Sequence, residues 1–411
     1  MEQPDFSFDP NSDAFTANPY ASYKALRERE GLYYCPDLRM WLLARYKDVL
    51  EVATHPAMVR SLEAFLSPEE ISERRRAMNW HDMAYHARYV QRNLLDSDGE
   101  THRRLRTLVF AEFTARSIEH HKTMIGAYID KTLTPLIEQG SFDFIDDFAS
   151  HIPGHIIGRV IGVPAKDCTQ LRKWSEDVVQ FYNVGRTQED KALAENATKD
   201  FAHYLMDLIS RREKNPKDDL LSKLIKYKND KVLNETELIS TAMLILIAGH
   251  GSTIDVLGSG LHCLLKNPDQ MAKLRANPDL MANAIQEIFR FETPLPFFHR
   301  YTSENTEILG QHFKQGDQFG LIYASANRDP EVFPFPDRFD ICRTPNRHLS
   351  FGKGPHLCLG NHLSRIDMEM VFTKLLESTN KIELQSPEPR YKKGLSVRGP
   401  INLPITVKSR A

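Results

Sequence analysis

Phe351-Gly352-Lys353-Gly354-Pro355-His356-Leu357-Cys358-Leu359-Gly360 sets one cysteine in a loop built from three glycines, a proline and a phenylalanine. Glycine lets a backbone take positive φ and come close to a large flat object. A helix-like run follows at once, from Leu359 to Leu376. Cys358 therefore stands at or beside a helix N-terminus, whose partial positive charge favours thiolate over thiol. A thiolate in a glycine cradle, with Phe351 as an apolar shield, suits ligation of a soft or borderline metal. A buried structural thiol is the alternative for any single cysteine.

The pattern F-G-x-G-x-x-x-C-x-G weighs against that alternative. At ordinary residue frequencies its five fixed positions arise by chance about once in ten thousand chains of this length. Haem iron is a metal of the kind described, and a cysteine ligand pushes electron density onto it. The stretch resembles the haem-thiolate loop of the cytochrome P-450 family. The resemblance implies haem b with Cys358 as axial ligand, and Phe351, Gly352 and Gly360 around the cofactor.

The chain has 411 residues with a formal net charge of −2, and 41% of its residues are hydrophobic. That charge argues for neither nucleic acid nor an anionic membrane as partner. No cationic stretch followed by an apolar core opens the chain. The most apolar run, Ala242 to Ala248, is far too short to cross a bilayer. A cytoplasmic protein is expected. The five cysteines are scattered without a C-x-x-C pair, which argues against a disulfide framework and a structural zinc site.

Upstream of the loop, Asn234-Glu235-Thr236-Glu237 is a capping-box-like helix start. A helical pattern then continues to about Leu265, roughly 45 Å at 1.5 Å per residue. Its middle reads Ala248-Gly249-His250-Gly251-Ser252-Thr253. Mid-helix glycine costs roughly 1 kcal/mol relative to alanine, so a kink or local opening is expected, with close approach of a ligand as its reason. The position is similar to the family's oxygen-activating groove, usually A-G-x-E/D-T, which implies that Ala248, Gly249, Gly251 and Ser252 line the oxygen side. Gly251 stands where the acid normally is and Ser252 where the threonine is. Ser252 can still donate a hydrogen bond and hold a water. His250, by spacing, lies off the groove as a packing residue.

Asp98 to Phe113 reads as a helix with His102 and Arg106 on one face. This resembles the family's D-x-x-x-H-x-x-x-R segment, and the resemblance makes both propionate ligands. Arg300 in Pro294-Leu295-Pro296-Phe297-Phe298-His299-Arg300, and His356, match further propionate ligands. Leu295, Phe297 and Phe298 match apolar substrate contacts. Trp80, Val179 and Val397 join them as candidate pocket residues, with Met78 and Met83 beside Trp80. Glu287 and Arg290, at i and i+3, with Arg338 in Pro336-Asp337-Arg338-Phe339, resemble the family's structural triad.

Local patterns complete the reading. Residues 1–19 form an irregular lead-in, Tyr20 to Glu30 a helix, Leu32 to Ala44 a hairpin, and Tyr46 to Thr54 a helix. Residues 56–95 are poorly periodic and read either as a binding loop or as a variable surface segment. Ala115 to Asp230 is helical, with breaks near Gly140, Pro153, Pro164 and Asn215–Asp219. Trp174, Val178, Val179, Phe181 and Tyr182 form an apolar cluster before a flexible polar stretch. Glu307 to Gln318 is a second hairpin.

The resemblance spans nearly the whole chain. It implies a mainly α fold with a small β-rich region, a triangular helical prism, as one domain over residues 1–411. The implied activity is that of a monomeric monooxygenase inserting one oxygen atom from O2 into a lipophilic small molecule, including secondary metabolites. Separate ferredoxin and ferredoxin reductase, or similar donors, would supply electrons; Arg103, Arg104, Lys353 and Arg365 read either as a basic docking face for them or as solvated surface. Gly251 keeps a peroxide-driven peroxygenase open as an alternative. A non-catalytic haem-binding protein is the other.

Overall fold

The computed structural model of the chain describes residues 7–29, 32–182 and 187–410. Parts of the lead-in (1–6), the last residue of the expected first helix, and 183–186 of the polar stretch lie outside those residues.

The lead-in is not wholly irregular. α1 (Asp13–Ala17) starts on Ser12 and α2 (Pro19–Glu28) on Asn18, each side chain accepting a backbone N–H of the first turn. β1 (Tyr33–Cys35) and β2 (Met40–Leu43) form the expected hairpin, pairing Tyr34 with Trp41, and α3 (Tyr46–Thr54) follows as read. The stretch read as irregular holds β3 (Met58–Val59), α4 (Pro68–Ala77) and α5 (Ala84–Tyr89). Ser67 and Glu70 close a capping box at the start of α4, a local signal that outweighs poor apolar periodicity.

Next come α6 (Gly99–Phe110), α7 (Ala115–Glu119) and α8 (Lys122–Gln139), which stops on Gly140 at φ 81°. β4 (Ser141–Asp143) interrupts the run expected to be helical. Pro153 sits in the first turn of α9 (Ile152–Ile161), so it starts a helix where a break was expected. α10 (Cys168–Val179), α11 (Gln188–Lys214), α12 (Leu220–Asn229) and α13 (Glu235–Ala248) follow, the last closed by the Asn234/Glu237 capping box. α14 (Gly251–Lys266), α15 (Pro268–Ala276) and α16 (Met281–Phe291) precede β5 (Phe297–Thr302), β6 (Thr306–Ile308), β7 (Gln311–Phe313) and β8 (Gln318–Ile322). α17 (Tyr323–Ala326), α18 (Asn361–Ser378), β9 (Thr379–Leu384) and β10 (Pro404–Ser409) finish the chain.

The chain folds into two compact units. One comprises the described part of Met1–Met58 with Asp255–Cys358 and Leu384–Leu403; the other comprises Val59–Ile254, Leu359–Glu383 and the described part of Pro404–Ala411. The main sheet has the order β1-β2-β8-β5-β3, with β2 parallel and β5 antiparallel to β8. Two apolar clusters of the first unit include its residues, one around Phe319, Leu321 and Leu43, the other around Tyr23, Leu42 and Ile322. In the second unit α10 packs on α11, α9 and α13, and α18 packs on α8. A small sheet there runs β4-β10-β9.

The stretch Glu235–Lys266 is, by length and composition alone, apolar enough to cross a membrane, but 67% of its apolar window is buried inside the protein. Burial on that scale is what a core helix pair requires.

Candidate functional site

In the first unit the organising pair is Glu287 and Arg290 on α16, both 0% exposed. Arg290 has five N–H donors, and each meets an acceptor. Its Nε and Nη2 donate to the two Glu287 carboxylate oxygens, both at 2.7 Å. Its Nη1 reaches the carbonyls of Asn327 at 2.9 Å and Pro336 at 2.8 Å, and Nη2 also reaches that of Arg338 at 3.2 Å. Glu287 in turn accepts from the Asp340 N–H, Arg343 Nε and Asn346 Nδ2. A buried ion pair is tolerated only with such further partners.

Arg338 does not take the third place expected of its side chain. Arg338 contributes its carbonyl, while its side chain is exposed. The second cation on Glu287 is Arg343, whose Nε lies 3.1 Å from Oε2. Arg343 lies beyond the P-D-R-F run, in Asp340-Ile341-Cys342-Arg343, where no motif marked it.

This frame carries the cysteine loop. Ser350 Oγ donates to the Phe289 carbonyl at 2.6 Å, and Asn327 Nδ2 donates to Ser350 Oγ and Thr293 Oγ1, both at 2.8 Å. The Phe351 ring packs 4.5 Å from Phe289, so the shield of the loop rests on the helix that bears Arg290. The Phe351 carbonyl accepts the Cys358 N–H at 2.8 Å, closing the loop on itself. Gly352 and Gly354 hold φ of 69° and 73°. A Cβ on Gly354 would also meet the Ala53 carbonyl at 2.7 Å, so both torsion and space require glycine there. Gly360 has ordinary torsions as the N-cap of α18, and a Cβ on it would meet open space. Cys358 is exposed. It precedes the first residue of α18 by three positions, a little farther from the helix start than the sequence implied.

Arg300 is buried and His356 half-buried in the same unit. Phe297 and Phe298 are neighbours on β5 and so point to opposite faces of the sheet. Phe297 joins the Tyr23 cluster and Phe298 the Phe319 cluster, so no single pocket takes both rings. Leu295 is half-buried before the strand. Val397 shares a small crevice with Pro296, Phe15 and Tyr23.

In the second unit the expected helix break falls at Gly249–His250, between α13 and α14. The Gly249 N–H still reaches the Ile245 carbonyl at 3.0 Å, but the His250 N–H turns to Ile247 at 3.4 Å, one residue short of α-helical pairing. The two glycines have different reasons. A Cβ on Gly249 would lie 2.7 Å from Ile157 of α9, so the close approach of a neighbouring helix already requires glycine here. A Cβ on Gly251 would meet nothing within 4 Å.

Exposure divides the segment by face. Ala248 is exposed and Gly251 and Ser252 are half-buried, whereas His250 and Thr253 are buried. Leu244 and Ile247 are also half-buried and extend the open face toward the N-terminus. Their uniform apolar surroundings hid them in the sequence. His250 packs as expected: its Nδ1–H donates to the Leu246 carbonyl, and its Nε2, without a partner among the described residues, lies against Gly154 of α9. Burial pulls its pKa below the ordinary value.

His102 is buried and Arg106 half-buried, one turn apart on α6. Trp80 stacks edge-on to Phe181 at 4.9 Å beside buried Met83, while Met78 is exposed. Val179, half-buried, ends α10. Two of the four residues assigned to donor docking are already engaged. Arg104 pairs with Glu237 and donates to the Val232 carbonyl, and Arg365 donates to Asn361.

Among the described residues no group of three or more His, Cys, Asp or Glu could hold a bare metal ion. One exposed thiol in a rigid glycine loop fits instead a metal already held by a macrocycle.

The comparisons with known proteins agree with that chemistry. The family model for cytochrome P450 matches residues 39–406. The biotin biosynthesis cytochrome P450 of Bacillus subtilis (strain 168) is 33% identical over 96% of this chain and 98% of its own length. The polyketide biosynthesis cytochrome P450 PksS of the same organism is 31% identical over 97% and 98%. Among solved structures, P450BioI in complex with hexadec-9Z-enoic acid ligated acyl carrier protein superposes with TM-score 0.89 at 31% identity, covering 96% of this chain and 100% of that one. The myxobacterial CYP267B1 in complex with myristic acid gives 0.88 at 31% identity, over 98% and 99%. The chain belongs to the cytochrome P450 family. It is a monooxygenase of the oxidoreductase class, and its cofactor is the family's cysteine-ligated iron-protoporphyrin.

Proposed function

We propose that the protein inserts one oxygen atom from O2 into a lipophilic substrate bearing a long acyl chain, with Cys358 as the thiolate ligand of its haem. The observation that carries the ligand assignment is the loop itself: an exposed cysteine fixed by its own N–H to Phe351 and braced through Phe289 by the Glu287–Arg290 pair. His102, Arg106, Arg300 and His356 bind the propionates. The haem, when bound, supplies the activation of dioxygen. The protein's part on that side falls to the open face of α13 and α14: Leu244, Ile247 and Ala248 exclude bulk water, and Ser252 Oγ holds a proton or a water. Electrons come from separate ferredoxin-type donors. The reading of the whole chain as one P450 domain is supported by the family match, which runs through both units.

The acyl-chain reading is supported by the two structures whose ligands are a carrier-borne hexadecenoic acid and myristic acid. Leu295, one of Phe297 and Phe298, Trp80 and Val179 supply apolar contact. Gly251 favours a second reading. With no carboxyl at that position and open space around it, the protein is a peroxygenase if peroxide drives turnover better than any electron donor.

The test is a spin-state titration of the ferric protein with free fatty acids, carrier-tethered acyl chains, polyketides and steroids. A low-to-high-spin shift with acyl chains, free or tethered, and donor-dependent product from them is expected. A shift confined to polyketides or steroids overturns the substrate class. Product that forms with peroxide but with no donor establishes the peroxygenase.

A further inference from the structure

We propose that Lys191 and Glu195 on α11 are positioning residues that fasten the segment Asn79–His86 and so limit the size of substrate admitted beside Trp80. This rests on the reading of Trp80 as a pocket residue.

The two side chains are four apart and share one helix face. Lys191 is buried, and its ammonium has three N–H donors. They meet three acceptors on the segment: the Asn79 carbonyl at 2.8 Å, Asn79 Oδ1 at 3.3 Å and Asp82 Oδ1 at 2.7 Å. Asn79 holds φ at 58°, in the left-handed region that asparagine tolerates better than most residues. The lysine thus clamps a turn that is itself strained.

Glu195 fastens the other end. Its Oε1 accepts the Tyr85 N–H at 2.8 Å and its Oε2 the His86 N–H at 2.9 Å. These are first-turn donors of α5, whose N-cap residue Met83 offers no side-chain acceptor. A carboxylate there satisfies orphan donors and opposes the helix dipole.

Between the fastenings lie Trp80 and Met83. Among the described residues, their apolar cluster buries Met83, Phe181 and Ala194. Five polar contacts from two α11 side chains therefore do much of the work of keeping the segment in place. A buried lysine stripped of its acceptors, or amides stripped of theirs, would favour an open arrangement in which water replaces them.

The test is hydrogen exchange on the haem-loaded protein, without substrate, in Lys191→Met, Glu195→Ala and the conservative Glu195→Gln. Exchange of the amides from Asn79 to His86 should rise roughly tenfold or more in the first two and less in the third. Exchange in α13 should stay unchanged, which separates opening of the segment from general unfolding. The dissociation constants of bulky ligands should fall relative to those of slender acyl chains, with kcat on the latter preserved. Unchanged exchange in the segment overturns the fastening. Faster exchange with unaltered size preference overturns its role in admission. Exchange is read without ligand, so failure of the pocket assignment shows separately, as absence of any ligand-induced spin shift in the unaltered protein.

Discussion

Arg290 spends all five of its N–H groups on acceptors that belong to three different stretches of chain, and Glu287 collects the return contacts. Removing one partner of such a buried pair leaves the other charged and unsatisfied, at a cost of about 3–5 kcal/mol. Arg290→Leu should therefore fail to retain haem or melt far below the parent, as read by thermal unfolding followed through the haem absorbance. The neighbouring arginines make a sharper comparison. Arg343→Leu should destabilise strongly because its guanidinium lies on Glu287, whereas Arg338→Leu should be within about 0.5 kcal/mol of neutral, as surface substitutions usually are. The reverse order would contradict the frame described. The sequence marked Glu287 and Arg290 by their spacing but named the wrong third member. A backbone carbonyl leaves no trace in residue identity, and Arg338 and Arg343 are both arginines in a loop.

At the scale of elements, the break between α13 and α14 was visible because glycine is costly inside helices. The purpose of each glycine was not, since Gly249 answers to Ile157, far away in sequence. Gly249→Leu should overpack the α9 contact and cost about 1–3 kcal/mol. Gly251→Ala meets open space and should leave the thermal midpoint nearly unchanged, and Gly251→Glu should fold and raise the yield of product per electron pair consumed. Equal destabilisation at both positions would contradict the assignment of faces.

His250 brings a pH dependence. Its folded pKa lies below the ordinary 6.5 because of burial, so the unfolded chain binds the extra proton first. Its contribution to stability is present above about pH 6.5 and is lost as pH falls through the lower folded value. His250→Leu should flatten the thermal midpoint between pH 7 and 5 relative to the parent. An identical slope in both proteins would mean that other groups govern the acid limb. Local devices of this kind were legible where one residue type settles them: the Asn234 capping box and the turn between β6 and β7, where Leu309 and Gly310 take positive φ. α4 was missed despite its Ser67/Glu70 box, because its apolar face is a single buried isoleucine. β4 was missed because its partner, β10, lies some 260 residues on and only their pairing makes it a strand.

For the whole molecule, family membership was readable from the cysteine loop, the α16 pair and the α13–α14 break taken together. Each is a fixed chemical requirement at a fixed spacing. The surroundings of the proposed site were not readable in the same way. Leu244, Ile247 and the Lys191–Glu195 fastening owe their positions to helix packing, and nothing in the local sequence distinguishes them from ordinary core or surface residues. The proposed chemistry rests on one bond, that between Cys358 and iron. The absorption spectrum of the reduced carbon monoxide complex tests it, compared between the parent protein and Cys358→Ser. A long-wavelength thiolate-type Soret band in the parent, lost in the variant while haem still binds, is the result predicted. A parent band of the type given by a neutral ligand, or a thiolate-type band that survives the substitution, would contradict it.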